Sequence, residues 1–301
     1  MMTKKAYHNP VLVQESVDGL HIDPSGTYVD VTFGGGGHSR AILDRLGPRG
    51  KLMAFDQDKD ALSNTIDDGR FVLINENFRF IKRFLRLHGI RQVNGILGDL
   101  GVSSHQFDEA SRGFSTRFDG PLDMRMDQNH SVSAYTILNT YSEKQLTNIL
   151  RTYGELRSAP KMARLIVNNR TPEIKTTQQL KDCIRPLLPA HREHKVMAQV
   201  YQAVRIEVNQ ELEALKEFLK QTETLICEGG RLSIISYHSL EDRLVKRYMR
   251  NGLFEGEPEK DMFGRTAVPF RKVHNLIVPS QEEIGSNNRA RSAKLRVAEK
   301  L

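Results

Sequence analysis

Strand-like segments alternate with helix-like segments through the first hundred residues, and no other feature restricts the possible fold as strongly. The predicted strands, rich in β-branched, aromatic and aliphatic residues, occupy residues 28–32, 51–56, 71–75 and 93–97. The predicted helices occupy residues 38–46, 58–66 and 78–87. Strands joined by helices in this way form right-handed βαβ units, so the sequence predicts an α/β fold with a parallel sheet.

A long helical stretch interrupts this pattern in the middle of the chain. Residues 103–129 are rich in Gly, Ser, Asp and Pro and predict a long functional loop. Residues 131–224 are mostly helical in pattern. One apolar stripe, with spacings of four and three, is formed by Val200, Val204, Val208, Leu212, Leu215 and Leu219. We therefore expect a discontinuous α/β domain, residues 1–110 and 220–301, that carries a loop and an all-helical insertion over residues 111–219.

The α/β pattern resumes near the C-terminus. The predicted elements are a buried strand and then a helix, with two final strands, at residues 231–236, 239–250, 272–278 and 294–297. Ser239 is a candidate N-cap of the helix, with Asp242 at its third position. The sheet is therefore expected to gain strands on the far side of the insertion.

Charge and cysteine content narrow the class of protein. The 301 residues carry 44 Lys and Arg against 37 Asp and Glu, and the net charge of +7 is compatible with a polyanionic partner. Two cysteines give neither a disulfide framework nor a CxxC motif, so we expect a reducing cytoplasm and no metal site. No apolar run approaches the ~20 residues of a membrane helix, and no obligate protein partner is indicated.

A glycine-rich turn follows the first predicted strand. Glycines at residues 34–37 allow positive φ and a close approach of a ligand to the backbone. Ser39 stands where G-x-G-x-x-G requires a third glycine, and no Gly-Lys-Ser/Thr follows, so phosphate binding is not supported. A nucleoside cofactor without phosphates fits better, and S-adenosylmethionine is the main one. A tight turn that binds nothing is the alternative.

Two aspartates end neighbouring strands at the edge where such cofactors bind. Asp56 follows the glycines by about 20 residues, where an acidic side chain accepts hydrogen bonds from ribose hydroxyls. Asp99 ends the fourth strand and is a candidate to contact an amine of the cofactor or of the substrate. The alternatives are an exposed strand-end Asp56 and a turn-forming Asp99.

Several longer segments carry distinctive motifs. They are residues 8–12, 32–39, 99–104, 112–115, 119–126, 202–206, 233–243 and 289–296, which span essentially the whole chain in order. Together these segments resemble the RsmH/MraW family, whose members are S-adenosylmethionine-dependent methyltransferases of small-subunit (16S) ribosomal RNA that act on N4 of a cytosine. The resemblance implies a class I methyltransferase sheet, which is Rossmann-like, with an inserted helical domain that helps to select the substrate.

The resemblance also assigns cofactor-binding residues. These are Gly36, Gly37, His38, Asp56, Phe78, Asp99 and Gln106. The first three would contact the cofactor from the glycine loop, Asp56 would hold the ribose, and Phe78 would lie near the adenine. Asp99 and Gln106 would complete the pocket at the methionine end.

The exocyclic amine of cytosine is a poor nucleophile, because its lone pair is delocalised into the ring. The enzyme must therefore place it near the methyl group in a dry site, and an acceptor for an amine proton favours attack. We assign Asp99 as that orienting acceptor. Phe107, Phe114 and Tyr237 are equal candidates for stacking on the base.

Basic residues are concentrated near the C-terminus. Residues 231–301 carry 14 Lys and Arg against 9 Asp and Glu, a net charge of +5. The candidate RNA contacts are Arg112, Arg125, Arg243, Lys246, Arg247 and Arg291. A solvated helix face is the alternative for the C-terminal group.

Two other functions are compatible with part of this pattern. One is a methyltransferase that acts on a protein or a small molecule. The other is a ribosome-assembly factor that binds RNA and keeps the pocket without using it. The basic C-terminal region and, more strongly, the family-like loop of residues 112–126 argue against the first, and the glycine loop with Asp56 and Asp99 argues against the second. A nicotinamide oxidoreductase is a more distant alternative, because the G-x-G-x-x-G pattern is broken.

Overall fold

The computed structural model describes residues 10–259, 261–264 and 266–301. Within this part of the chain, seven strands form one sheet. They are β1 (Thr27–Asp30), β2 (Lys51–Phe55), β3 (Phe71–Ile74), β4 (Val93–Asp99), β5 (Ile226–Ser236), β6 (Phe270–Lys272) and β7 (Lys294–Lys300).

The strands lie in the order β3-β2-β1-β4-β5-β7-β6. Strands β1 to β5 are parallel, and β7 pairs antiparallel with both β5 and β6. The chain builds outward from β1 to β3 and then returns to place β4 on the other side of β1. The loops that follow β1 and β4 therefore diverge, and ligands of doubly wound sheets bind at such a switch point. The predicted α/β class is confirmed.

Twelve α-helices accompany the sheet in the described residues. They are α1 (Val13–Gly19), α2 (Gly37–Leu43), α3 (Ile81–Leu87), α4 (Ser104–Asp108), α5 (Ala134–Thr140), α6 (Glu143–Thr152), α7 (Ala159–Asn169), α8 (Thr177–Ile184), α9 (Glu193–Asn209), α10 (Glu211–Leu225), α11 (Ser239–Asn251) and α12 (Gln281–Ser286). Short 3-10 turns occur at Lys59–Asn64 and Phe78–Phe80, where the sequence predicts helix.

The chain divides into two compact units. The sheet unit consists of the described part of residues 1–101 together with Leu212–Leu301, and the helical unit is Val102–Glu211. The predicted insertion, residues 111–219, begins and ends eight or nine residues later than the helical unit. The helical unit begins earlier than predicted because α4 follows β4 almost directly. It ends earlier than predicted because α10 packs on the sheet.

The apolar stripe predicted as one surface is divided between the two units. Gln210 has φ 49° and ends α9, so the chain changes direction before α10 begins. The three valines of the stripe are buried in the core of the helical unit. Leu215 and Leu219 are buried instead beneath the sheet, with residues of β1, β4 and β5. Periodicity detects both helices, but a single residue in the left-handed region redirects the second one.

Two further predictions about elements are wrong. Residues 272–278 do not form one strand, because a bend at His274 and Asn275 interrupts pairing with β7 before Ile277 forms an isolated bridge to Leu295. Residues 103–129 are not loop throughout, since α4 begins with a capping box in which Ser103 and Gln106 satisfy each other's backbone N–H groups.

No helix in the described part of the chain combines the length and the apolar character needed to cross a membrane.

Candidate functional site

The glycine turn after β1 adopts conformations that other residues would resist. Gly34 has φ 51° and Gly36 has φ 77°, both in the left-handed region. A Cβ on Gly36 would lie 2.9 Å from the Phe33 ring. The turn therefore leaves bare backbone along its length at the carboxyl edge of the sheet.

The next two residues of the turn pack against the start of the described chain. A Cβ on Gly37 would lie 2.2 Å from Cγ of Pro10, so only glycine fits there. His38 is buried, and its Nε2 donates to the carbonyl oxygen of Val11 at 3.1 Å, because a carbonyl can only accept. Residues 10–12 thus hold the turn from outside. The resemblance marks this segment, but nothing in the sequence alone predicts the contact.

Asp56 fixes the glycine turn to the end of β2. Its Oδ2 accepts from the backbone N–H of Gly34 at 2.8 Å, and its Oδ1 accepts from that of Asp58 at 2.8 Å. Burial raises the pKa of the Asp56 carboxyl to about 6, although both hydrogen bonds lower it. Each oxygen retains a second lone-pair direction, which is what a pair of ribose hydroxyls needs. Asp56 is half-buried.

Phe78 lies just after β3 and is half-buried against the core beneath the sheet. Its ring meets that of Phe218, on α10, edge to face at 5.4 Å between centroids. Packing in the core and the adenine contact that the resemblance implies are compatible for Phe78, because part of the residue is packed and the rest is exposed.

Asp99 lies at the end of β4, opposite Ile235 of β5. Tyr237, two residues further along, donates its hydroxyl to Oδ1 of Asp99 at 2.8 Å. Nδ1 of His38 lies 3.9 Å from Oδ2 of the same carboxylate. The Asp99 side chain is 21% exposed, so it remains accessible to a ligand.

Burial also governs the protonation of this cluster. It raises the pKa of Asp99 to about 6, against the opposing effects of His38 and of the Tyr237 hydrogen bond. It also raises the pKa of Asp30, at the end of β1, which accepts from the Ser39 hydroxyl at 2.6 Å. Carboxylates with raised pKa values at one sheet edge are typical of a functional site.

Tyr237 is placed by the turn that follows β5. Its backbone N–H donates to Oε2 of the buried Glu241 at 3.0 Å. Glu241 belongs to a capping box whose N-cap is His238, so the predicted N-cap, Ser239, is wrong by one residue. His238 can act as the N-cap because its imidazole Nδ1 accepts a hydrogen bond from the backbone N–H of Glu241. Asp242 pairs instead with Arg296 at 2.7 Å.

Gln106, the remaining predicted cofactor residue, lies in the helical unit. It is buried, and its Oε1 accepts from the backbone N–H of Ser103 at 2.9 Å. Its amide therefore serves the capping box of α4, and its role towards a cofactor stays a prediction.

Three of the predicted RNA contacts lie on one face of α11. Arg243 and Lys246 are exposed, one turn apart. Arg247 is half-buried and donates to the carbonyl oxygen of Gly256 at 2.7 Å, so part of its guanidinium is committed. Arg291, in the 3-10 turn before β7, is exposed.

The two predicted RNA contacts in the helical unit have internal partners. Arg112 is buried and donates to the carbonyl oxygens of Arg125 and Met126, at 2.9 and 3.3 Å. The predicted RNA contact at Arg112 is therefore wrong, because this residue is buried and its guanidinium binds backbone carbonyl groups of the loop. Arg125 is partly exposed but pairs with Asp123 at 2.8 Å. Its RNA contact stays a prediction.

The three aromatic candidates for stacking on a base are now distinguishable. Phe114 is buried in the core of the helical unit, and Phe107 is packed against that core. Tyr237 is half-buried, with its hydroxyl on Asp99. Burial removes Phe114 from consideration.

Comparison with known proteins gives matches along the whole chain. Residues 5–301 match the model of the MraW methylase family. A "Ribosomal RNA small subunit methyltransferase H" from Christiangramia forsetii is 67% identical over 302 residues, covering all of both chains. The protein of the same name from Flavobacterium johnsoniae is 62% identical over 302 residues, again covering both chains fully. The one from Bacteroides thetaiotaomicron is 55% identical over 98% of this chain and 97% of its own.

Proposed function

The chain belongs to the MraW methylase family, and we propose that it transfers a methyl group from S-adenosylmethionine to the N4 amine of a cytidine in small-subunit (16S) ribosomal RNA. Relatives that carry the name of a small-subunit ribosomal RNA methyltransferase match the full length of the chain. One observation supports an amine as the group that receives the methyl. Asp99 is an accessible carboxylate at the switch-point edge of the sheet and can accept a hydrogen bond from an amine.

The residues at this edge fit S-adenosylmethionine. The turn at Gly34 and Gly36 offers backbone without side chains, and phosphate-binding patterns are missing from its sequence. Each carboxylate oxygen of Asp56 accepts one backbone hydrogen bond and has a second lone pair that a ribose hydroxyl can use. Phe78 is half-buried beside Phe218 and is the proposed contact for the adenine. Gly36, Gly37 and His38 are the proposed contacts from the turn, and Asp99 and Gln106 are proposed to complete the pocket at the methionine end. When bound, the cofactor supplies a methyl group on a positively charged sulfur, which is the electrophile.

Asp99 orients the amine. An ionised carboxylate accepts a hydrogen bond from one N–H of the amine, which holds the nitrogen lone pair towards the methyl group. The attacked nitrogen becomes strongly acidic, so a carboxylate with a pKa of about 6 is a sufficient proton acceptor at neutral pH. No strong base is needed in the site.

RNA binding is assigned to the basic face of α11 and to Arg291, with Arg125 as a contact from the helical unit. Arg243 and Lys246 offer exposed charge at a spacing that suits successive phosphates. The target base must leave its stack to enter a pocket, so phosphate contacts alone do not complete recognition. The helical unit is the proposed substrate-selecting domain, and the cytoplasm, where ribosomal RNA is processed, is the proposed location.

The experiment is methyl transfer from tritium-labelled S-adenosylmethionine to small ribosomal subunits from a strain that lacks this gene, followed by nucleoside mass spectrometry. Label in N4-methylcytidine is the expected result. Cofactor binding without label in any nucleoside would favour the assembly-factor alternative. Failure to bind the cofactor would contradict the site assignment.

A further inference from the structure

We propose that Tyr237 is a positioning residue for methyl transfer: its hydroxyl fixes the Asp99 carboxylate so that Oδ2 is the oxygen presented to the substrate amine. The inference rests on the proposed function, because it assigns a partner to the carboxylate that orients the amine. The contact that carries it is the hydrogen bond from the Tyr237 hydroxyl to Oδ1 of Asp99 at 2.8 Å.

The position of the Tyr237 hydroxyl is fixed from both sides. Strand β5 pairs with β4 up to Ile235 opposite Asp99, so the two strand ends are in register. Immediately afterwards, the N–H of Tyr237 is held by Glu241, which is buried and forms part of the capping box of α11. The phenol therefore approaches Asp99 from a rigid turn, as a positioning group must.

The Tyr237 hydroxyl acts as a donor and not as a base. Burial and the adjacent carboxylate raise the pKa of Tyr237 well above its ordinary value, so the phenol keeps its proton throughout the working pH range. A phenol that always donates stabilises the ionised form of its acceptor. It thereby favours the protonation state of Asp99 that can accept from an amine.

Several charged or titratable groups face Asp99 from the neighbouring elements. Nδ1 of His38, on α2, lies 3.9 Å from Oδ2, beyond hydrogen-bond distance, while its Nε2 is committed to the carbonyl of Val11. Asp30 at the end of β1 and Glu241 on α11 are carboxylates that oppose ionisation of Asp99. Tyr237 offsets these effects at hydrogen-bond distance, and Oδ2 remains the oxygen that can take a new donor.

This arrangement serves both the formation of the new bond to the methyl group and the loss of a proton from the nitrogen. The lone pair of the cytidine amine forms the new C–N bond, and the electron pair of the breaking C–S bond stays on sulfur. The nitrogen then gives one of its protons to Oδ2 of Asp99, whose other oxygen keeps its bond from Tyr237. Asp99 later releases this proton to water, which is easy for a carboxyl with a pKa near 6.

Stacking on the base is the competing role for Tyr237, and it makes a different prediction. A stacking residue needs the ring, so Tyr237→Phe would leave the reaction unchanged. A positioning residue needs the hydroxyl, so Tyr237→Phe would alter the ionisation of Asp99. Tyr237→Phe removes only the hydroxyl oxygen, so this variant distinguishes the two roles.

The experiment measures single-turnover methyl transfer against pH, with saturating cofactor and small subunits from the gene-deletion strain. For Tyr237→Phe we expect the acidic limb to move up by about one pH unit and the rate at pH 6 to fall about fivefold. The rate at pH 8.5, where Asp99 is ionised in both proteins, should fall about two- to threefold, because the carboxylate is no longer held in one orientation. The cofactor Kd stays within about twofold of wild type. Tyr248→Phe, which removes a buried hydroxyl on α11 and keeps a ring stacked on Phe254, is the matched control and should match wild type.

A second measurement does not depend on activity. The carboxyl of Asp99 is titrated by 13C NMR in wild type and in Tyr237→Phe, with the resonance assigned through Asp99→Asn. A higher pKa of Asp99 in the variant is expected. An unchanged titration, or a rate profile that superimposes on wild type, would overturn the proposal. Inactive wild-type protein with a shifted Asp99 titration would contradict the proposed function, and only the effect of Tyr237 on the ionisation of Asp99 would remain.

Discussion

The carboxyl ends of β2 and β4 carry similar carboxylates with different partners. Asp56 and Asp99 both end strands at the carboxyl edge, and burial raises the pKa of each to about 6. Asp56 accepts from two backbone N–H groups, those of Gly34 and Asp58. Asp99 instead accepts from the side-chain hydroxyl of Tyr237, and its second oxygen faces His38.

This difference supports the binding role proposed for Asp56 and the chemical role proposed for Asp99. The hydrogen-bond partners of Asp56 are backbone N–H groups, which cannot move away unless the chain itself moves. The Asp56 carboxylate is therefore a fixed part of the glycine turn. The partners of Asp99 are side chains, and one of its oxygens can exchange partners as a substrate arrives. A similar position and a similar pKa therefore do not imply a similar function.

Removing the carboxylate at Asp99 should affect the rate more than the binding. Asp99→Ala is expected to lower the single-turnover rate by about 10²–10⁴, because the amine loses its orienting acceptor. The cofactor Kd should change less than the rate does. Asp99→Asn keeps an acceptor oxygen but is a poor proton acceptor, so it should fall between Asp99→Ala and wild type. Full activity of Asp99→Ala would refute the orienting role.

The corresponding change at Asp56 should give the reverse result. Asp56→Ala leaves two backbone N–H groups and the ribose without their acceptor, so the cofactor Kd should rise about 10–100-fold. The rate at saturating cofactor should stay within about threefold of wild type. Isothermal titration and single-turnover kinetics measure the two quantities, and Asp67→Ala, on an exposed aspartate nearby, is the control. An equal loss of rate in both variants would remove the contrast.

The raised pKa of Asp99 should be visible in the stability of the protein. An aspartate in the unfolded chain has a pKa near 3.9, so the folded state binds the Asp99 proton more tightly. Stability from this group is therefore present below pH ~4 and is lost as the pH rises to about 6. The free energy of unfolding of wild type relative to Asp99→Asn should fall on the order of 2 kcal/mol between pH 4 and 7.

Denaturant titrations at several pH values measure this difference. Asp23→Asn is the control of opposite sign, because hydrogen bonds from Ser25 lower the pKa of Asp23. Stability from Asp23 is present above the unfolded pKa and is lost as the pH falls. A pH-independent difference for Asp99→Asn would contradict the burial argument.

The smallest expected effect lies on the surface of α11. Lys246→Ala should reduce the slope of log affinity for small-subunit RNA against log salt by about 1, because one phosphate contact is lost. Arg271→Ala, an exposed arginine on β6 that pairs with Glu299, should leave the slope unchanged. Equal slopes for Lys246→Ala and wild type would remove α11 from the RNA-binding surface.

The parts of the fold that depend on local sequence were predictable. The first four strands and the glycine turn follow from short-range patterns, and the positions of Asp56 and Asp99 at strand ends follow from them. The division of the apolar stripe was not predictable, because it depends on one left-handed residue, Gln210, that carries no turn signal in the sequence. Periodicity reports which face of a helix is buried but not against which core.

The partners of the candidate site residues were less predictable, because they come from distant parts of the chain. Tyr237 meets Asp99 across 138 positions, and Val11 meets His38 across 27. The burial of Arg112 likewise depends on carbonyl groups that only the folded loop brings together. Charge and spacing identify which residues are candidates, but packing decides which charges reach a ligand.

The most direct test of the account is nucleoside mass spectrometry of small-subunit RNA from a strain that lacks this gene, after complementation with wild type or with Asp99→Ala. We predict that wild type restores N4-methylcytidine and that Asp99→Ala, expressed at the same level, does not. Restoration by both would contradict the role of Asp99, and restoration by neither would contradict the proposed reaction.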